Sequence, residues 1–291
     1  MEFTIANKYI TVTAIELGAE LREIKSVDGT EFLWQGDQNI WMGRAPNLFP
    51  YIARLTNGEY TFKGTRYRLP IHGLAPTTEF KMTSMNEEKM TFSLTSNSET
   101  LKHYPFEFLF EVLYEIRKNT LDLTYTIKNL GEDTMYFGVG AHPGFNVPLD
   151  TSECFEDYYL DFAEPCSPLR IGFSEDCFLN GNDKPFHLDE GHILELAHNI
   201  FDNDAIVLKE MSKSVTLKSK HGRHYICIHY PDMKYLGLWH APQTRANYIC
   251  IEPWSSLPSR KGIVEDLEQQ KDLLTLPAGE IYKTTITFEF Y

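Results

Sequence analysis

The feature that most constrains this chain is an alternation of apolar and polar residues with period two, which recurs along most of its length. Phe108, Phe110, Val112, Tyr114 and Ile116 alternate with Leu109, Glu111, Leu113, Glu115 and Arg117. After a turn at Lys118-Asn119, Leu121, Leu123, Tyr125 and Ile127 alternate with Asp122, Thr124, Thr126 and Lys128. Successive side chains of a strand point to opposite faces, so this pattern describes strands with one buried face, and two such runs around a tight turn describe a β-hairpin. The same alternation appears at Tyr9–Ile15, Glu59–Leu69, Phe80–Ser84, Met90–Leu94, Val215–Lys218, Tyr225–Tyr230 and Tyr282–Phe290. Helical periodicity is nearly absent, the best candidate being Ile263–Lys271. The expectation is an all-β chain, a large antiparallel β-sandwich formed by one domain over residues 1–291. Its terminal strand, Tyr282–Phe290, should pair inside a sheet.

A hydrophobic fraction of 42%, with 13% aromatic residues, is enough to fill such a sandwich. The formal charge is −14, from 27 basic and 41 acidic side chains. That excess repels a phosphate backbone, so neither nucleic acid nor an anionic membrane is an expected partner. Five cysteines without C-x-x-C spacing suggest neither a disulfide framework nor a zinc ribbon. The first residues lack the basic and apolar regions of a signal peptide, and no apolar run approaches the roughly 18 residues that span a bilayer. A cytoplasmic, reduced protein is the default expectation.

Chemistry concentrates in a few positions. Gly140-Ala141-His142-Pro143-Gly144-Phe145-Asn146 seats a histidine between glycines and a proline, after a strand-like run from Thr134 to Val139. An imidazole titrates nearest neutrality, so a loop that fixes one beside an open site makes a proton donor or acceptor. The alternative is a histidine in an ordinary turn. Arg54 interrupts the apolar run Leu48–Leu55; its planar fork suits sugar hydroxyls or carboxylates, or a structural salt bridge. His72, in Leu69-Pro70-Ile71-His72-Gly73, follows the hairpin-like stretch Tyr60–Tyr67 and reads equally as a turn cap. Glu252 closes the apolar strand Tyr248–Ile251 and meets Pro253-Trp254. Proline holds the preceding residue extended, and burial beside an indole raises a carboxyl pKa towards the range of a general base. Trp254 and Trp239 are either sugar-stacking platforms or core. Asp204 directly precedes the strand-like run Ala205–Leu208, and the pair Asp202/Asp204 is either a turn or a ligand-facing cluster. The chain has no H-E-x-x-H, G-x-S-x-G, Walker A or G-x-G-x-x-G motif.

Taken in order, these segments resemble the aldose 1-epimerase (galactose mutarotase) superfamily, and within it the LacX-like branch. Arg54-Leu55 with Asn57–Gly64 is similar to the family's arginine and hairpin, and Leu69–Gly73 to its His-Gly segment. Ala141–Asn146 is similar to its His-x-x-Phe-Asn signature, and Ile249–Trp254 to its late glutamate segment. The match runs over nearly the whole chain. Departures are Ala53-Arg54 in place of Asn-Arg, His72-Gly73-Leu74 in place of a longer His-Gly-Gly stretch, and no Tyr-Asp-His context for the sugar-binding aspartate. They bear on substrate identity more than on reaction type.

The resemblance implies interconversion of the α and β anomers of an aldohexose by opening and closing the pyranose ring, with no metal or redox cofactor. It implies Glu252 as base, His142 as acid, and His72 with Arg54 around the ring oxygen and its neighbouring hydroxyls. Asp204, or failing it Asp202, would hold distal hydroxyls, with Trp254 in the binding wall. The expected partner is a monosaccharide, and no oligomeric state is implied. Three rivals use the same residues differently. A non-catalytic sugar-binding protein needs no aligned acid and base. A glycosidase usually needs two carboxylates flanking the bond. A mutarotase for hexose 6-phosphates needs a basic pocket, for which Arg44, Arg66 and Arg68 are the candidates.

Overall fold

A computed structural model describes residues 1–291. The alternating hairpin forms as its pattern requires. Phe108–Arg117 and Thr120–Asn129 pair over ten positions, with Leu123 opposite Tyr114 and Tyr125 opposite Val112. Phe108, Phe110, Val112, Tyr114 and Ile116 are all wholly buried. This hairpin lies within a nine-stranded antiparallel sheet. From one edge the order is Ile193–Glu195, Tyr158–Phe162, Ser214–Ser219, Ile226–His229, Ile281–Phe290, Thr120–Asn129, Phe108–Arg117, Lys89–Thr95 and Lys81–Met85. The terminal strand thus sits between Thr120–Asn129 and Ile226–His229, inside the sheet as expected.

The second large sheet carries the site. Its order is Lys184–Pro185, Leu169–Arg170, Ile206–Lys209, Tyr235–Trp239, Tyr248–Trp254, Gly140–Ala141 and Asn47–Leu48, with Gly144–Asn146 also on Tyr248–Trp254. The sheets pack face to face through pairs such as Phe49–Phe110, whose ring centroids are 4.6 Å apart, and Phe145–Phe288 at 5.8 Å. The main hydrophobic cluster has 65 buried residues and draws on the chain from Ile5 to Phe290. Hydrogen bonds also cross it. The Tyr125 hydroxyl donates to Asn47 Oδ1 at 2.7 Å and to the Gly140 carbonyl at 3.1 Å.

The hairpin read over Tyr60–Tyr67 forms, and the one helix candidate does not. The run Glu59–Leu69 is a hairpin turning at Lys63-Gly64, with strands Glu59–Phe62 and Thr65–Arg68. Ile263–Lys271, the best candidate for helical periodicity, is not a helix. Glu265–Asp266 is a short strand parallel to Tyr60–Thr61, followed by turns. Arg260 grips the buried Glu265 carboxylate through Nε at 3.0 Å and Nη2 at 2.8 Å, which fixes an extended segment over a weak local helical preference. The one α-helix is Thr100–His103, so no helix is long and apolar enough to cross a membrane.

Candidate active site

The strand Tyr248–Trp254 is buried at all seven positions, and alternation puts Tyr248, Cys250, Glu252 and Trp254 on one face. Gly237 lies opposite Glu252 on the neighbouring strand, where a Cβ would stand 3.2 Å from the glutamate Cβ. On the other side, Gly140–Ala141 and Gly144–Asn146 both pair with this strand, leaving His142-Pro143 as the interruption between them. The His142 N–H donates to the Pro46 carbonyl at 3.0 Å, and the Pro143 carbonyl accepts from Ile251 at 3.2 Å. The loop is therefore anchored on both sides, and His142 Nε2 stands 3.2 Å from Glu252 Oε2.

Aromatic rings fix the imidazole further. Trp41 stacks on it at 5.1 Å between centroids and 27° between planes, while Trp239 and His72 present edges at 5.8 and 5.3 Å. Gly144 makes room for this stack, since a Cβ there would lie 2.9 Å from the Trp41 ring.

His72 has a left-handed backbone, φ +64°, as does Ala53 at +56°. The two clasp each other: the His72 N–H donates to the Ala53 carbonyl at 2.9 Å, and the Ala53 N–H donates to His72 Nδ1 at 3.2 Å. With Nδ1 an acceptor, the neutral ring carries its proton on Nε2. Burial, helped by the nearby Arg54 charge, lowers the His72 pKa to about 4. The turn-capping and site-lining readings are both realised by one residue. Arg54 itself is exposed and its guanidinium has no ion pair, so the salt-bridge alternative does not hold.

Arg54, His72, His142, Asp204, Glu252 and Trp254 all line one cavity of about 460 Å³. Trp239 lines it too. Asp202 does not; it faces an adjoining cavity. Asp204 holds a φ of +69° and is oriented by two donors, the Ala205 N–H on Oδ1 at 2.8 Å and the Cys177 thiol on Oδ2 at 3.0 Å. The three arginines considered for a phosphate lie elsewhere. Arg66 and Arg68 bind Glu59, and Arg44 binds the Arg22 carbonyl and Gln35.

Electrostatics set the pair at the centre of the cavity apart. Glu252 is 1% exposed and His142 is 8% exposed. Burial pushes the Glu252 carboxyl well above the usual carboxylate range, with Asp204 adding to the rise and the Trp254 indole opposing it. Burial, with repulsion from His72, holds the His142 imidazole well below its ordinary value. Both directions favour a neutral pair at neutral pH. Three of the six buried side-chain polar atoms that make no hydrogen bond within the protein belong here: His142 Nδ1, Trp254 Nε1 and Glu252 Oε2, whose 3.2 Å approach to His142 Nε2 is close in distance but not aligned as a hydrogen bond. An unpaired buried polar atom costs about 1–3 kcal/mol, so such clustering marks a site poised for a polar ligand.

His142, Cys250 and Glu252 each bring a donor atom within 4.8 Å of the others. This set suits a thiophilic cation, but burial raises the Cys250 thiol well above its usual pKa, and a metal would have to displace that proton. Several cavity residues were not singled out in the sequence, Trp41 and Cys177 among them. Trp41 sits in no periodic run, and Cys177 appeared only as part of an odd cysteine count.

The fold is a galactose mutarotase-like β-sandwich, and its concave site is built around a buried carboxyl–imidazole pair. Comparison with known proteins agrees with this fold. The chain belongs to the aldose 1-epimerase family, whose description it matches over residues 1–289. It is 35% identical over 295 residues to the chromosomal LacX protein of Lactococcus lactis subsp. lactis, covering 96% of this chain and 97% of LacX. Among solved structures it resembles a galactose mutarotase related enzyme from Lactobacillus acidophilus. There the TM-score is 0.95 and the identity 34%, over 100% of this chain and 97% of the other. A galactose mutarotase-like protein from Lactobacillus casei superposes with TM-score 0.93 at 31% identity, over the full length of both chains.

Proposed function

We propose that this protein, one domain throughout, is an aldose 1-epimerase that interconverts the anomers of an aldohexose by acid–base opening of the pyranose ring. The observation that carries this reading is the 3.2 Å approach of His142 Nε2 to Glu252 Oε2 in a sugar-sized cavity. Ring opening removes a proton from the C1 hydroxyl and delivers one to the ring oxygen. Both oxygens are bonded to C1, so the base and the acid must stand side by side, as these two groups do.

The pair needs one titratable proton between them. In the free site burial keeps that proton on Glu252. Sugar hydroxyls donating to the carboxylate stabilise its ionised form, and its proton passes to His142. Glu252 then takes the C1 hydroxyl proton while His142 protonates the ring oxygen, and the C1–O bond of the ring breaks. Rotation about the C1–C2 bond presents the other carbonyl face, and the two groups exchange roles as the ring closes. His72, with Nε2–H free to donate, stabilises charge at the ring oxygen, Arg54 binds neighbouring hydroxyls, and Asp204 binds hydroxyls distal to C1.

The test is polarimetry of freshly dissolved α-D-glucose and α-D-galactose with and without the protein. Acceleration over buffer with at least one aldose is expected. Binding of an aldose without acceleration identifies a sugar-binding protein and removes the enzymatic reading.

A further inference from the structure

Cys250 has no part in the reaction derived above, yet it shares a strand face with Glu252, one step of the alternation away. Its thiol is free and wholly buried, in a small cluster against which Trp34, Trp41 and Trp239 pack. The sulfur lies within 4.8 Å of a donor atom of both His142 and Glu252. A thiol, an imidazole and a carboxyl thus converge on one point beneath the cavity floor.

The spacing suits a tetrahedral cation. Zinc bonds of about 2.0–2.3 Å hold neighbouring ligand atoms about 3.3–3.7 Å apart. His142 Nε2 and Glu252 Oε2 stand 3.2 Å apart without an aligned hydrogen bond between them, as two lone-pair donors facing one centre do. The Cys250 sulfur comes into range with roughly 1 Å of side-chain adjustment. His142 and Glu252 also line the cavity, which supplies an entry path and leaves the fourth position open to water.

Charge balance points the same way. A thiolate and a carboxylate together carry two negative charges, a divalent cation carries two positive ones, and a neutral imidazole carries none. The buried complex is therefore neutral overall and avoids the penalty of an uncompensated charge. On binding, the cation displaces the thiol and carboxyl protons, which pass to solvent. Sulfur ligation selects zinc or cadmium over magnesium or calcium, whose preferred ligands are oxygens.

We infer that Cys250, Glu252 and His142 form an inhibitory site for a thiophilic divalent cation, zinc above all, which occupies the acid–base pair. Coordination takes the Glu252 lone pair that would accept the C1 hydroxyl proton. It also takes the His142 lone pair that would carry a proton to the ring oxygen. The loss of turnover rests on the epimerase reading, whereas the binding itself does not.

Two readouts on the full, reduced chain test this. Cadmium titration, followed by the ultraviolet thiolate-to-metal charge-transfer band, reports binding, and polarimetry with added zinc reports turnover. The band should appear and should be suppressed by whichever of D-glucose and D-galactose is turned over. Zinc should abolish mutarotation, EDTA should restore it, and magnesium and calcium should leave the rate unchanged. Cys250→Ala and Cys250→Ser should each lose the band and raise the half-inhibiting zinc concentration at least about 100-fold, because a lost outer-shell partner alone costs about 10–100-fold. Glu252→Gln should weaken cadmium binding comparably. A band that persists in Cys250→Ala, or an unchanged half-inhibiting concentration there, would overturn the site. Should the Cys250 variants not fold, competition in the wild type decides, and a band undisturbed by the sugar overturns the site. Mutarotation that is insensitive to zinc, with no band, removes the cation site alone. Cadmium binding through Cys250 and Glu252 in a chain that turns over no sugar leaves the site standing and removes the epimerase reading.

Discussion

The hydroxyl of Tyr125, on the nine-stranded sheet, donates across the sandwich core to the carbonyl of Gly140, two residues before His142 on the opposite sheet. The same hydroxyl donates to Asn47 Oδ1. The site loop is therefore tied to the far sheet as well as to its own neighbours.

Tyr125→Phe keeps the ring and removes that one shared proton, leaving the buried Asn47 Oδ1 short of its donor and the Gly140 carbonyl without its cross-core contact. A loss of about 1–3 kcal/mol in urea unfolding is expected, with kcat falling more than KM because His142 loses support. Unchanged stability and kcat would show that the bond does not position the loop.

The Cys177 thiol is expected to act as a neutral donor. Burial, with the hydrogen bond to Asp204, raises its pKa to about 12, so at neutral pH it stays protonated and reacts slowly with iodoacetamide. Cys177→Ala should raise the sugar KM about two- to tenfold with little change in kcat, and Cys177→Ser should restore it. Equal KM values in wild type and Cys177→Ala would remove Asp204 as a sugar contact oriented by this thiol.

The pH profile has a defined shape. With the ordinary values of 4.5 and 6.5, an ionised Glu252 and protonated His142 would coexist only between them. Burial raises the first and lowers the second, so the pair holds one proton over a wider range that includes neutrality. Below the depressed His142 value both groups are protonated and no base remains. Above the raised Glu252 value both have lost the proton and no acid remains. A plot of log(kcat/KM) against pH should show a plateau through about pH 7 with acid and alkaline limbs. A maximum near about pH 5.5 that declines above 6.5 would match unshifted groups instead.

The sandwich was legible in the sequence because period-two alternation reports directly which face of each strand is buried, as at Phe108–Ile116. Ile263–Lys271 stood out as the best helical candidate because its local pattern carries no trace of the remote pairing with Tyr60–Thr61. The residues of the cavity were legible where a reactive side chain sits in a constrained backbone context, as in His142-Pro143 and Glu252-Pro253. Trp41 was not, because its value lies in stacking on a ring from a distant segment. Asp202 and Asp204 were indistinguishable by spacing. Asp204, at φ +69°, lines both the Glu252 cavity and the adjoining one, while Asp202 lines the adjoining cavity alone.

The central claim is that Glu252 exchanges a proton with the sugar, and Glu252→Gln tests it most directly. The amide keeps the size and hydrogen-bonding reach of the carboxyl but takes up no proton near neutrality. Polarimetric mutarotation and ligand-observed NMR of the same aldose should be measured on wild type and variant. The account predicts that kcat falls by about 10²–10⁴-fold while the sugar still binds. Full mutarotase activity in Glu252→Gln would contradict it.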